Sequence, residues 1–399
     1  MDLYLQFGYG MKKNTLELAR KWGKATVILS PRDIEPTSLE KWSKEFVKAN
    51  VFTMFDPQCY YPHDNHKRLA KYNYHSATSY TNLGSSVSTE EHQLERIKYF
   101  NDICKTIAYI IPGIMNSTID DKWFVKHSLF VSAALKVMKD KPIYMTISLP
   151  QSALMFNNDI TERIISETEK WPVDGYYIVA EHPQLKYLVD DAVWMSNILD
   201  LCAGLKLQGK KVILGYANHQ MLCASMTKID AIASGTWLNV RTFKNKFTDE
   251  DDQMGRRNTW YYYPQALSEY KLTFLDLAFN NSVLQKLKPD DNIDDEFAEI
   301  LFSGASPTST AFNESDAFKH YLHSLKMQIM SLEKHSYTEA MNAQELLLET
   351  AERNIEFNRS NGIFGQDRDF RNNIDINRAA LHTLHKNRGF VLEQEWNTL

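Results

Sequence analysis

The sequence predicts a (β/α)8 barrel of the TIM type with a helical C-terminal appendage. Three observations carry that expectation. Short apolar, β-branched runs recur through the first 280 residues of the 399-residue chain. They lack strict polar alternation, as strands buried on both faces of a parallel sheet do. The segments between them, such as "TSLEKWSKEFVKA" and "VDDAVWMSNILDLCAGLKL", carry apolar residues at helical spacing.

In order, the strand candidates are "ATVILSPRD" (25–33), "VFTMFDPQCYYP" (51–62), "IAYIIPG" (107–113), "PIYMTISLP" (142–150), "VDGYYIVAEHP" (173–183), "KVILGYANH" (211–219) and "KIDAIASGTWLNVRTF" (228–243). "LTFLDLAF" (272–279) reads as a last strand or a helix. About eight strand–helix units suit a closed barrel; a doubly wound open sheet is the alternative. The polar endings "SPRD", "DPQ", "IPG", "SLP", "AEHP", "ANHQ" and "SGTW" favour the barrel. Barrel enzymes build their sites from the loops after every strand, whereas an open sheet concentrates chemistry at one switch point. Residues 1–285 are therefore read as the barrel, catalytic or base-binding. Residues 286–399 are read as a mainly helical region that completes or decorates it, beginning with the acidic "LKPDDNIDDEFAE" and the loop-like "SGASPTSTAFNES" (303–315).

Composition narrows the class. The chain is 43% hydrophobic and 24% charged, with 15 Gly and 12 Pro, so long disordered linkers are not expected. A net charge of −5 does not mark a nucleic-acid binder, although a basic face fits beneath it. No apolar run reaches the length of a membrane span, and no charged-then-apolar leader opens the sequence. Cys59, Cys104, Cys202 and Cys223 are scattered, which suits reduced thiols in the cytoplasm better than disulfides or a cysteine-based zinc site.

Several motifs are missing. "FGYGM" (7–11) has two glycines and no following Lys-Ser/Thr, so it reads as a turn. There is no HExxH and no GxSxG. His63, His66 and His75 near Asp64 read as exposed histidines of a polar loop, so neither a metal nor a cofactor is expected.

The candidates for chemistry are the carboxylates at strand ends. Asp56 follows "VFTMF" and Glu181 follows "GYYIVA". A carboxylate at a buried strand end lies against low-dielectric walls that tune its pKa; capping a helix or pairing with an Arg is the structural alternative. Asp230 is a third candidate acid, and Asp33 reads as a helix-start acid beside Arg32. Gln58, Asn218, His219, Gln220 and Asn239 add amides and an imidazole, groups that read the donor–acceptor edge of a flat heterocycle. Tyr60, Tyr61, Tyr216 and Trp237 are rings on which such a heterocycle stacks, and Ser234 lies in the small-residue gap before Trp237.

The order of these motifs resembles the tRNA-guanine transglycosylase superfamily. "FDPQ" (55–58) is similar to the family's aspartate–glutamine strand end, and "VAEHP" (179–183) to its "GE-P" corner. "LGYANHQML" (214–222) leads into "IDAIASGTWLNVR" (229–241), where Asn239 and Arg241 match an "N-R" pair. The likeness spans roughly residues 50–280. It implies a (β/α)8 barrel that exchanges guanine in DNA or tRNA for a 7-deazaguanine. Asp56 would then serve base recognition or nucleophilic attack, and Glu181 with Gln58 the heterocycle edge. Arg241 would meet a phosphate, helped by Lys244, Lys246, Arg256 and Arg257. Two departures stand out. Ala233 and Ser234 occupy the place of the family's nucleophilic aspartate, and the cysteine-free "TWYYYPQALSEYKLTFLD" (259–276) replaces its zinc motif. The chain thus resembles a zinc-free branch such as the 7-deazaguanine DNA transglycosylases, with a protein partner or a second copy also compatible.

Two other classes stay open. One is a catalytically silent barrel that binds nucleic acid or a partner subunit. The other is an unrelated barrel hydrolase or lyase, which would set two carboxylates across the mouth roughly 5 to 9.5 Å apart.

Overall fold

Alternation along each strand sorts the residues of the sheet into two packed layers. In the computed structural model, which describes residues 1–61, 66–75, 86–244, 258–290, 293 and 295–399, eight parallel strands form a nearly closed barrel. They are β1 (Asp2–Gln6), β2 (Ala25–Leu29), β3 (Val51–Phe55), β4 (Tyr109–Ile111), β5 (Ile143–Leu149), β6 (Gly175–Ala180), β7 (Lys211–Leu214) and β8 (Ala231–Ser234). Their order round the ring is β3-β2-β1-β8-β7-β6-β5-β4. β3 and β4 meet at a seam without a ladder. There the Ile107 N–H donates to the Thr53 carbonyl at 2.9 Å, and Thr53 Oγ1 donates to the Cys104 carbonyl at 2.7 Å.

Helices α1 (Lys12–Trp22), α2 (Pro36–Lys48), α3 (Val87–Cys104), α4 (Asp121–Val137), α5 (Asp159–Thr168) and α6 (Ala192–Leu207) follow the first six strands. A 3₁₀ segment, His219–Thr227, follows β7. Side-chain caps start three of these helices: Ser86, Asp120 and Asp191 each accept a backbone N–H of the first turn. Leu3, Leu5, Val27, Leu29, Val51 and Phe55 point out from β1–β3 and join the helices in the main core. Ile28, Met54, Ile110, Tyr177, Val179, Ile213, Ala231 and Ala233 point in and fill the barrel.

The structure adds one strand and resolves one segment that the sequence left open. β1 supplies a strand at Asp2–Gln6 that the sequence reading passed over, and 272–279 is helical, within α7 (Leu272–Asn280). Before α7, "WYYY" and "SEYK" pair as an antiparallel hairpin, β9 (Trp260–Tyr263) with β10 (Ser268–Lys271). Tyr261, Tyr262 and Tyr263 are buried in it.

The C-terminal region holds α8 (Glu314–Ser331), α9 (Tyr337–Ser360) and α10 (Ile374–Glu395). α8 packs against β1, α1 and β9, and so takes the eighth helical position of the ring. α10 lies along α6. Among the described residues, no helix is long and apolar enough to cross a membrane.

Candidate active site at the barrel mouth

The inward positions at the carboxyl ends of the strands are polar. Counting along each strand from its inward neighbours, Gln6, Ser30, Asp56, Ser148 and Glu181 continue the inner face of β1, β2, β3, β5 and β6. Gly215 and Gly235 continue it on β7 and β8. A Cβ on Gly215 would stand 2.6 Å from the Tyr177 ring, and one on Gly235 2.4 Å from the Gln6 carbonyl. The glycines are what let these groups converge.

Asp56 is held by three hydrogen bonds to its carboxylate. It is 1% exposed; its Oδ2 accepts the Tyr60 hydroxyl at 2.7 Å and the Tyr216 hydroxyl at 3.4 Å. Its Oδ1 accepts the Gln58 N–H at 2.9 Å, an arrangement that holds Gln58 at φ 55°. Burial pushes the carboxyl up to about 6, against the pull of the Tyr60 hydroxyl, the Gln58 N–H, the Tyr216 hydroxyl and the charge of Arg32. Gln58 Nε2 donates to Ser30 Oγ at 2.8 Å and to the Tyr216 hydroxyl at 3.2 Å, and Gln58 Oε1 accepts the Arg32 N–H at 2.9 Å. Arg32 is buried, and its Nη2 pairs with Asp33 Oδ2 at 3.1 Å. Asp33 is thus the partner of a buried arginine.

Glu181 is joined to this network through Phe243. Its Oε1 accepts the Tyr61 hydroxyl at 2.7 Å and its backbone bridges to Phe243. The Phe243 ring stacks on Tyr61 at 6.3 Å and meets Tyr60 and Tyr216 edge-on, each at 5.0 Å. One aromatic side chain therefore covers the partners of both carboxylates.

Two buried polar atoms of this layer, Gln6 Nε2 and Ser148 Oγ, have no hydrogen-bond partner among the described residues. Such atoms are costly unless something polar meets them. Gln6 Oε1 itself accepts the Tyr177 hydroxyl at 2.9 Å.

The other sequence candidates lie elsewhere. Asp230 precedes β8 and belongs to the opposite, amino-terminal end of the barrel, where it pairs with Lys206 and Lys211, each at 2.9 Å. Its catalytic assignment is corrected: it is a structural anion. Asn218 caps the 3₁₀ segment by accepting the Gln220 N–H and donating to the Tyr187 carbonyl, while Gln220 bonds Val189 and Asn377. Both amides are occupied in structure. Asn239 is half-buried on the turn Leu238–Val240. Ser234 faces outward from β8, because Ala231 and Ala233 hold the inner face. His75, expected at the surface, is buried with Nε2 2.9 Å from the Pro57 carbonyl. His63, Asp64, Lys246, Arg256 and Arg257 lie outside the described residues.

Arg241, His219 and Trp237 belong to a second cluster on the outer flank of β8. Arg241 is 3% exposed, donates from Nε to the Gly235 carbonyl at 2.7 Å, and lies 3.4 Å from the centre of the Tyr321 ring. Its Nη1 reaches Glu269 Oε2 at 3.5 Å, and Arg368 Nη1 reaches the same oxygen at 2.7 Å. Burial alone would raise the Glu269 carboxyl; Arg368 and Arg241 overcome it and bring it down to about 2. His219, ringed by Tyr187, Tyr262, Tyr321 and Phe370, is pushed down to about 4 by burial. The guanidinium expected on a phosphate is held inside the fold by a carboxylate.

Glu269, Arg368, Tyr187, Gln6 and Ser148 were not anticipated. The alternation of β1 and β5 points Gln6 and Ser148 inward; nothing local marks Glu269 in "SEYK". Among the described residues, no group of three or more His, Cys, Asp or Glu is placed to hold a metal ion.

No protein-family model matches this chain, and no curated protein matches it. Among solved structures, xylanase B from Clostridium stercorarium F9 is similar at a TM-score of 0.32 and 11% identity, over 61% of this chain and 90% of that one.

Proposed function

We propose that the barrel mouth exchanges a base in nucleic acid, guanine leaving and a 7-deazaguanine entering, in DNA or tRNA. The observation that supports this reading most is Asp56: an inward carboxylate at a strand end, tuned to about 6 and tied to the amide of Gln58. Above that pH the ionised carboxylate attacks the anomeric carbon as the bond to the base breaks. The departing base takes the electron pair and a proton from water, and the incoming base gives a proton to the hydroxide left behind as it displaces Asp56 from the sugar, which regenerates the carboxylate. Glu181 accepts a hydrogen bond from an N–H on the heterocycle edge. Gln6 Nε2 and Ser148 Oγ supply polar contacts to the heterocycle. A base in a duplex must first be flipped out, and Phe243 and Tyr60 must swing aside to admit it.

The test is incorporation of labelled guanine or a labelled deazaguanine into DNA and into tRNA. Incorporation by the wild type and its loss in Asp56→Asn supports the reading. Full activity in Asp56→Ala overturns it. A second reading is favoured by Ala233, which leaves the inner face of β8 without a carboxylate: a barrel that binds nucleic acid or a partner subunit without turnover. Retained binding with no incorporation by the wild type selects it.

A further inference from the structure

Beside the mouth, between β8 and the C-terminal region, a cleft opens whose walls are rings and whose floor is charged. Trp237, Trp260 and Phe318 form the walls, and Arg241, Glu269 and Arg368 the floor. Its space, counted out into the solvent at its mouth, is ≈ 460 Å³, in the range of small-molecule pockets.

We propose that this cleft binds a free planar heterocycle with a lactam edge, an N–H beside a C=O, as in guanine, 7-deazaguanine or uracil. The floor offers the complement of that edge. Glu269 accepts the Tyr187 hydroxyl at 2.7 Å on Oε1 and both Arg368 and Arg241 on Oε2. A carboxylate has about four acceptor sites, so one on Oε1 remains for a ligand N–H. The guanidinium groups on either side donate to the neighbouring carbonyl. Thr236 and Arg368 line the same cleft, and behind its surface Thr236 Oγ1 and Arg368 Nε are buried without a hydrogen-bond partner among the described residues. The Arg368 guanidinium covers one face of Trp260, 4.0 Å from the ring centre, and Trp237 and Phe318 add further ring surface to the walls. Adenine has no N–H beside a carbonyl. It offers no carbonyl to the guanidinium groups and would bind more weakly.

Arg241 is two residues before Phe243, the ring that covers the partners of both carboxylates. The cleft could hold a departing or arriving base; that role rests on the exchange reading, whereas the binding itself does not.

The test is calorimetric titration and thermal melting of the full chain with guanine, 7-deazaguanine, uracil and adenine. Expected are saturable binding of the lactams below about 1 mM and adenine weaker by about tenfold or more. Trp260→Leu and Thr236→Val should each weaken lactam binding severalfold while the free proteins melt normally. Asp56→Asn should keep the Trp260-dependent part of the binding. Glu269→Ala is avoided because it strands two buried guanidinium groups. Absence of saturable lactam binding, or adenine binding as tightly, overturns the proposal. So does binding lost in Asp56→Asn but kept in Trp260→Leu, which moves the ligand to the barrel axis and leaves the exchange reading standing. Cleft binding in a wild type that exchanges no base removes the exchange reading alone.

Discussion

Arg388 grips Asp200 with two parallel hydrogen bonds, Nε to Oδ1 and Nη2 to Oδ2, each at 2.8 Å. The Asp200 carboxylate is 2% exposed, so this fork ties α10 to the sixth barrel helix through a desolvated charge. Removing the arginine leaves that charge buried and alone. Arg388→Ala is expected to cost about 3 kcal/mol of stability, measured by urea unfolding. Arg388→Lys should restore only part, since a point charge cannot reproduce the fork.

Asp56 makes stability depend on pH in an unusual direction. The unfolded chain releases this proton near 3.8, while the folded protein holds it to about 6. Stability is therefore greatest below about 4 in this contribution and falls as pH rises through 6, by about 3 kcal/mol at 1.36 kcal/mol per pH unit. Asp56→Asn should flatten the profile between pH 4 and 6, read by thermal melting across that range. Under the exchange reading, the wild-type rate should rise through the same interval as the carboxylate ionises.

Asp230 behaves oppositely. Burial opposes its ionisation, but the Val212 N–H, Lys211 and Lys206 outweigh it and depress the carboxyl. Its contribution is present above the unfolded value and is lost as pH falls through the lowered one. Asp230→Asn is expected to cost about 2 kcal/mol and to leave base exchange within about twofold. An activity loss comparable to that of Asp56→Asn would return Asp230 to the chemistry.

Gly215 is required by a close approach. An added methyl would sit 2.6 Å from Tyr177 Cε2 and 2.7 Å from its hydroxyl. Gly215→Ala should cost about 2 kcal/mol through overpacking and disturb the Tyr177–Gln6 hydrogen bond, so melting temperature and ligand response should fall together.

Much of the barrel was legible because buried parallel strands leave continuous apolar runs, and seven of the eight were read correctly. β1 escaped because "DLYLQ" alternates: Leu3 and Leu5 face the helices, Tyr4 and Gln6 face inward. "LTFLDLAF" read equally as strand or helix since its apolar residues satisfy both periods; it became a helix after the hairpin it follows. At the site, Asp56, Gln58 and Glu181 were visible as polar residues ending apolar runs. Asp230 misled by sequence proximity: it begins its strand instead of ending it, one barrel height away. Arg241 was visible but its fate was not, because Glu269 comes from a tyrosine-rich hairpin and Arg368 from a turn a hundred residues on. Ion pairs between segments so distant leave no local pattern.

The seam beside Asp56 gives the ring a mechanical weak point. β3 and β4 are spliced by the main chain of Ile107 and the hydroxyl of Thr53, where every other pair of neighbours shares a ladder. A cylinder with one such joint flexes there first, and the strand that flexes is the one that ends in the shielded carboxylate. Amide exchange should accordingly be faster for Ile107 than for the matching positions of β5 and β6, and Thr53→Val should quicken it further. The geometry that keeps water from Asp56 thus also sets the line along which it can be uncovered.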